Sequence, residues 1–132
     1  MKYLLDTNIC VYFLRQNIKI IDKIMSVSAD ELAISCFNLA ELLFGAYNSD
    51  YVDKNLKRVR YIENTIEVIA FDKKAIDNFA LIKTELKKQN NLIDDFDILI
   101  AAVALSNDMI LVTNNVKHFK RIPGLTIKNW LI

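Results

Sequence analysis

Three acidic residues stand alone in stretches that otherwise ask to be buried. Asp6 is the only charged residue between Lys2 and Arg15, Glu41 the only one between Glu31 and Asp50, and Asp97 the only one between Asp95 and Asp108. Carboxylates brought together repel and lose hydration, which is costly unless a cation joins them. No Lys or Arg in these segments is spaced to neutralise them. Hard oxygen donors select Mg²⁺ or Mn²⁺, and no His/Cys cluster has the spacing of a zinc site. Such a cation lowers the pKa of bound water and offsets charge developing on phosphorus oxygens. Hydrolysis of a phosphodiester is therefore the natural chemistry for the set.

Each acid also has a plainer use. Asp6 lies where a strand gives way to a helix, so it suits an N-cap. Glu41 could be a solvated carboxylate on one wet helix face. Asp97 falls in the first turn of an Ala-rich helix, where the dipole favours an anion. Those readings stay open for the residues taken singly.

The elements that must position them alternate along the chain. Tyr3-Leu4-Leu5, Leu32-Ala33-Ile34, Ile66 to Ala70 and Met109 to Val112 read as strands, with Thr126 to Lys128 as a short fifth. Helices are expected over about Thr7 to Leu14, Ile18 to Val27, Ser35 to Tyr47, 51–64, Lys73 to Lys88 and Asp95 to Ser106. Ser35, Asp72 and Asp94 are their candidate N-caps. Apolar strands followed by helices imply a mainly parallel sheet covered on both faces, a three-layer α/β/α sandwich. Ligands of such sheets bind beyond the carboxyl ends of the strands. Asp6 and Asp97 map there, and Glu41, two turns into its helix, can reach the same end.

Composition bounds the rest. The 132 residues and 15.2 kDa fit a single domain over 1–132, and 53% apolar residues supply one core. Cys10 and Cys36 lie far apart in apolar runs, which suits a reducing compartment. The longest purely apolar run, Ile98 to Leu105, is too short for a bilayer, and no signal-peptide region precedes Asp6. A soluble cytoplasmic protein with no membrane partner is expected. A net charge of +1 gives no argument for nucleic acid by itself. Local density does: Lys54, Lys57, Arg58 and Arg60 form one basic cluster, and Lys117, His118, Lys120 and Arg121 another. They are either solvated faces or holders of flanking phosphates.

Four motifs also resemble those of a family, in order and across essentially the whole chain. Leu4-Leu5-Asp6-Thr7-Asn8, Asn38-Leu39-Ala40-Glu41-Leu42-Leu43-Phe44-Gly45, Phe96-Asp97-Ile98-Leu99-Ile100-Ala101-Ala102 and Leu111-Val112-Thr113-Asn114-Asn115 with His118-Phe119 are similar to those of PIN-domain nucleases. The match extends to the VapC-type toxins of VapBC toxin–antitoxin modules, and the closing Ile122-Pro123-Gly124-Leu125 and Trp130 fit it too.

The resemblance implies an α/β/α sandwich and an Mg²⁺-dependent endoribonuclease, with Mn²⁺ able to substitute. It implies structured RNA as substrate, a tRNA anticodon stem-loop foremost, an antitoxin partner of the VapB type, and a homodimer. By motif position Asp6, Glu41 and Asp97 form the acidic site. Thr113, Asn115, Asp94 and Asn8 are candidates around it, Asp94 being first a helix cap. Many PIN domains carry a fourth acid where this chain has Asn115, and an amide supplies no charge. The number of cations therefore stays open. The competing functional reading is a catalytically silent PIN-like module that binds RNA or protein. A receiver or a phosphatase of the haloacid-dehalogenase kind fits poorly, because Asn8 replaces the acid expected two residues after Asp6.

Overall fold

A computed structural model describes residues 2–132. Its strands are β1 (Tyr3–Leu5), β2 (Leu32–Ser35), β3 (Glu67–Ile69), β4 (Ile110–Val112) and β5 (Ile127–Lys128). Its helices are α1 (Thr7–Leu14), α2 (Ile18–Met25), α3 (Cys36–Tyr47), α4 (Val52–Thr65), α5 (Lys73–Lys88), α6 (Asp95–Ser106) and α7 (Val116–Phe119). The strands form one parallel sheet in the order β3-β2-β1-β4-β5. Because β2 lies on one side of β1 and β4 on the other, the chain reverses its direction of winding between β1 and β4. In an open parallel sheet that reversal leaves a crevice at the carboxyl edge.

Both faces are covered, as near-continuous apolar strands require. Leu4, Ala33 and Leu111 point to one face and pack with α5, α6 and Phe119 of α7. Leu5, Ile34 and Val112 point to the other and pack beneath α1, α2, α3 and α4. Alternate residues of a strand thus feed separate cores. Helix α6 is apolar on nearly every side, with Ile98 and Ile100 to Ala104 buried, so it sits wholly inside one layer. No helix among the described residues is long and apolar enough to cross a membrane.

Two of the expected caps form. Ser35 Oγ accepts from Asn38 N at 3.1 Å while Asn38 Oδ1 accepts from Ser35 N at 2.9 Å, and Asp72 Oδ1 accepts from Ala75 N at 3.0 Å. Asp94 departs from expectation. It occupies the N-cap position of α6 in an extended conformation, yet its side chain makes no cap hydrogen bond and stays exposed. The first turn of α6 already carries Asp95 and Asp97, which meet the helix dipole without it.

The expected strand beginning at Met109 starts one residue later, and α2 ends two residues before Val27, as frayed ends do. Helix α7 and a 3-10 turn at Ala29–Glu31 are absent from the sequence reading.

Candidate active site

Asp6 and Thr113 are the residues that follow β1 and β4, at the two lips of the switch-point crevice. Backbone bonds extend the sheet to hold both: Asp6 N donates to Val112 O and Thr113 N to Lys128 O, each at 2.9 Å. Thr113 Oγ1 then donates to Asp6 Oδ2 at 2.8 Å, and Thr7 N donates to Asp6 Oδ1 at 2.9 Å. Asp6 is therefore both a helix cap and the centre of the crevice, only 6% exposed. Burial pushes its carboxyl above the usual range, against the pull of the bonds from Thr113 and Thr7. The charges of Asp97 and Glu41 push the same way as burial.

Asp97 sits in the first turn of α6. Burial raises its pKa, the His118 ring lowers it, and the charge of Asp94 raises it again. His118 Nδ1 lies 3.5 Å from Asp97 Oδ2 and 2.9 Å from Asn115 Nδ2. Asn115 N in turn donates to Thr113 Oγ1 at 2.9 Å. The turn after β4 thus touches both aspartates, Asp6 through Thr113 and Asp97 through His118. Glu41 is exposed on α3 and its Oε1 accepts from Thr7 Oγ1 at 2.5 Å.

Each candidate residue around the acids has a definite place. Thr113 is buried against Asp6. Asn115 orients the imidazole. Asp94 stands near enough to Asp97 to raise its pKa. Asn8 points to solvent, and its neighbour Thr7 makes the contacts. Sequence reasoning missed Thr7 as a contact of two acids and placed His118 in a basic cluster and in the fourth motif, without a contact to Asp97. Spacing held a signal for the second: Asn115 and His118 are three apart at the start of a helix, and so lie on one face.

The donor set itself tests a divalent cation. The ion pairs among the described residues are Lys2–Glu67, Arg60–Glu63, Lys83–Asp95 and His118–Asp97, so no Lys or Arg neutralises Asp6, Glu41 or Asp97. Asp6 feels the negative charges of both Asp97 and Glu41 at the carboxyl edge of the sheet. They are not drawn into a closed ligand cluster, for among the described residues no three acid, His or Cys side chains are. All-carboxylate hard donors, one of them buried and raised in pKa, fit Mg²⁺ or Mn²⁺. Cys10 is buried, and burial above all pushes its thiol up to about 12, so it offers no thiolate.

The basic cluster on α4 divides in the structure. Lys54 and Lys57 are exposed. Arg58 is half-buried and donates to Leu14 O, tying α4 to the end of α1, while Arg60 pairs with Glu63 at 2.8 Å. Both arginines thus have an oxygen partner within the chain, while the Arg60 side chain remains exposed. Arg58 still lines a groove of about 320 Å³ that runs past Arg15 to Thr7 and Glu41. Lys117 on α7 and Lys120, the residue that caps its C-terminus, are exposed on either side of His118.

The fold and site define an α/β/α sandwich with a carboxylate centre at the switch point of its parallel sheet. The family model for the PIN domain matches residues 3–125. Ribonuclease VapC2 of Haemophilus influenzae is 36% identical over 132 residues, covering 99% of both chains. The tRNA(fMet)-specific endonuclease VapC of Shigella flexneri is 32% identical over 130 residues, covering 98% of both. Among solved structures, VapBC2 of Rickettsia felis bound to a promoter DNA fragment superposes with a TM-score of 0.92 at 35% identity, over 98% of this chain and 99% of that one. The chain belongs to the PIN-domain family and is of the VapC type.

Proposed function

We propose that this protein is an Mg²⁺-dependent endoribonuclease, with Mn²⁺ able to substitute, and the toxin of a toxin–antitoxin module. Its substrate is structured RNA, with a tRNA anticodon stem-loop favoured by the name of the Shigella relative. The observation that carries the reading is Asp6 buried at the switch point, coupled to Asp97 and Glu41, with no Lys or Arg paired to any of the three.

Asp6, Glu41 and Asp97 would hold the cation. When bound, it supplies a more acidic water and positive charge opposite the phosphate. The chain's own residues prepare the place. Thr113 and the Thr7 N–H use one lone pair on each Asp6 oxygen and so fix the plane of its carboxylate. His118, with its Nδ1 between Asn115 Nδ2 and Asp97 Oδ2, packs against the Asp97 carboxylate. Lys54, Lys57, Lys117 and Lys120 are exposed, and on this reading they contact flanking phosphates. Attack by water leaves the RNA 2′-OH unused, so the ends should be 3′-hydroxyl and 5′-phosphate.

A VapB-type antitoxin is the proposed partner, in keeping with the toxin–antitoxin complexes among the structural relatives. An apolar groove of about 270 Å³ between α1, α2 and α4, lined by Phe13, Ile24, Met25, Val27, Tyr61 and Ile66, is a surface such a partner could cover. A homodimer in the cytoplasm completes the reading. A silent binding module is the weaker alternative, because all three carboxylates are present.

Purified protein should cleave tRNA with Mg²⁺ or Mn²⁺ and stop on adding EDTA, with activity restored by excess cation. Cleavage that survives thorough chelation, or ends carrying 2′,3′-cyclic phosphate, overturns the mechanism. A second result is expected from the lysines. Replacing Lys54 and Lys57 by Glu should weaken RNA binding and reduce the slope of log K against log salt concentration by roughly 0.7–0.9 per lost phosphate contact. An unchanged slope returns both to the role of solvated surface.

A further inference from the structure

Asn38 is fully buried, and a chain of hydrogen bonds fixes the direction of every proton around it. Its side-chain oxygen faces two donors, Ser35 N at 2.9 Å and Ser35 Oγ at 2.7 Å. A backbone N–H can only donate, so the atom opposite it is Oδ1 and the Nδ2 end points the other way. There Nδ2 donates to Thr7 Oγ1 at 3.1 Å. With Asn38 donating into it, the Thr7 hydroxyl turns its single hydrogen outward, to Glu41 Oε1 at 2.5 Å. An ionised carboxylate can only accept, so the polarity runs without conflict from β2 to Glu41. Thr7 also holds Asp6 Oδ1 through its own N–H. One residue therefore grips two of the three acids.

The capping box of α3 does not require this. Ser35 and Asn38 satisfy each other through Oγ, Oδ1 and two backbone N–H groups, and the Nδ2 bond to Thr7 is additional. Glu41 needs such a tether more than Asp6 does. It is exposed, and a free Glu side chain loses substantial rotamer entropy when it is ordered. A charge-assisted bond of this kind orders it before any ligand arrives.

We infer that Thr7, with its hydroxyl oriented by buried Asn38, is the positioning residue that sets Glu41 against Asp6 for cation binding. The inference rests on the reading of Glu41 as a cation ligand. Neither Thr7 nor Asn38 needs to touch the cation. Loss of groups that orient ligands commonly costs 10- to 100-fold in metal affinity.

The test is a calorimetric Mn²⁺ titration of the parent, Thr7→Val, Thr7→Ala, Thr7→Ser, Glu41→Ala and the Thr7→Val/Glu41→Ala double variant, with melting curves alongside. Thr7→Val keeps shape but removes the hydroxyl. It should weaken Mn²⁺ binding about 10- to 100-fold and lower kcat on tRNA with little change in KM. Thr7→Ala, which removes the hydroxyl without putting a methyl in its place, should match it. Thr7→Ser should recover most of the loss. In the Glu41→Ala background, Thr7→Val should cost nothing further, because its effect passes through Glu41. Parent-like Mn²⁺ affinity in Thr7→Val and Thr7→Ala overturns the inference. So does an equal penalty with and without Glu41. If Glu41→Ala itself leaves Mn²⁺ affinity and cleavage intact, the assignment of Glu41 as a ligand fails, and the inference goes with it.

Discussion

Replacing Asp6 or Asp97 by Asn should abolish RNA cleavage and leave the fold standing. Asn caps a helix about as well as Asp, and its Oδ1 can still accept from Thr7 N where Asp6 does now. At position 6 the charge is lost and the atom that accepts from Thr113 Oγ1 becomes an amide donor, which the hydroxyl can meet by turning its own hydrogen away. Deleting the charge of a direct ligand should cost more than the roughly 100-fold at which loss of an orienting partner tops out. Stability should move in the opposite direction from activity. Burial raises the Asp6 carboxyl in the folded protein, so the folded state holds that proton more tightly than the unfolded chain. The contribution of Asp6 to cation-free stability is then fully present in acid, below its unfolded value, and is lost as pH rises through the raised folded value. At neutral pH the parent bears this cost and Asp6→Asn does not, so the cation-free variant should melt higher. Mn²⁺ should reverse the order. At 100 times its dissociation constant it stabilises a binding-competent parent by about 2.7 kcal/mol and the variant far less. Full cleavage by Asp6→Asn would sink the assignment.

Phe119→Ala should be the most destabilising single change near the site. Phe119 is among the largest fully buried side chains and packs in the core under α6. Truncating a buried Phe costs about 3–5 kcal/mol, a large part of the margin of a domain this size. The urea midpoint should fall accordingly. Cleavage at temperatures where the variant remains folded should fall as well. Phe119 is the anchor of a four-residue helix whose preceding residue, His118, meets Asp97, and a loosened α7 no longer holds that ring in place. Ile76→Ala, at an exposed position on α5, is the matched control and should change stability by less than about 0.5 kcal/mol. A cost for Phe119→Ala below about 1 kcal/mol would show that α7 is not held by this side chain.

Sequence legibility followed physical cause. Where apolar periodicity met a capping residue, the elements could be read nearly to the residue. Ser35 opens α3 and Asp72 opens α5, and both helices end where their apolar pattern does. The layers were legible because the strands are apolar without alternation. Helix α7 was not, for four residues carry too little periodicity, and its stability comes from one buried Phe. Asp94 misled because a residue type frequent at caps says nothing about whether its side chain turns inward. Around the acids, each carboxylate announced itself as a lone charge in an apolar stretch. Thr7, Asn38 and His118 did not. Polar residues are ordinary at strand ends, and their partners lie up to 34 residues away in the chain. The split of the basic cluster was equally invisible, since Leu14 O, which takes Arg58, is 44 residues distant.

The parallel winding of the sheet also sets a calendar for synthesis. The bond from Thr113 to Asp6 joins residues 107 positions apart, and β1 is flanked on one side by β4. A ribosome that adds about 5–20 residues each second emits Asp6 seconds before Thr113 exists. Until then β1 lacks one neighbour, and Asp6 lacks both its hydroxyl partner and the opposite wall of its crevice. Asp97, too, must wait for the turn that carries His118. For a chain proposed to cut RNA, the order of residues is a built-in delay: the nascent polypeptide cannot assemble a working site while most of it is still being made beside the RNAs that make it.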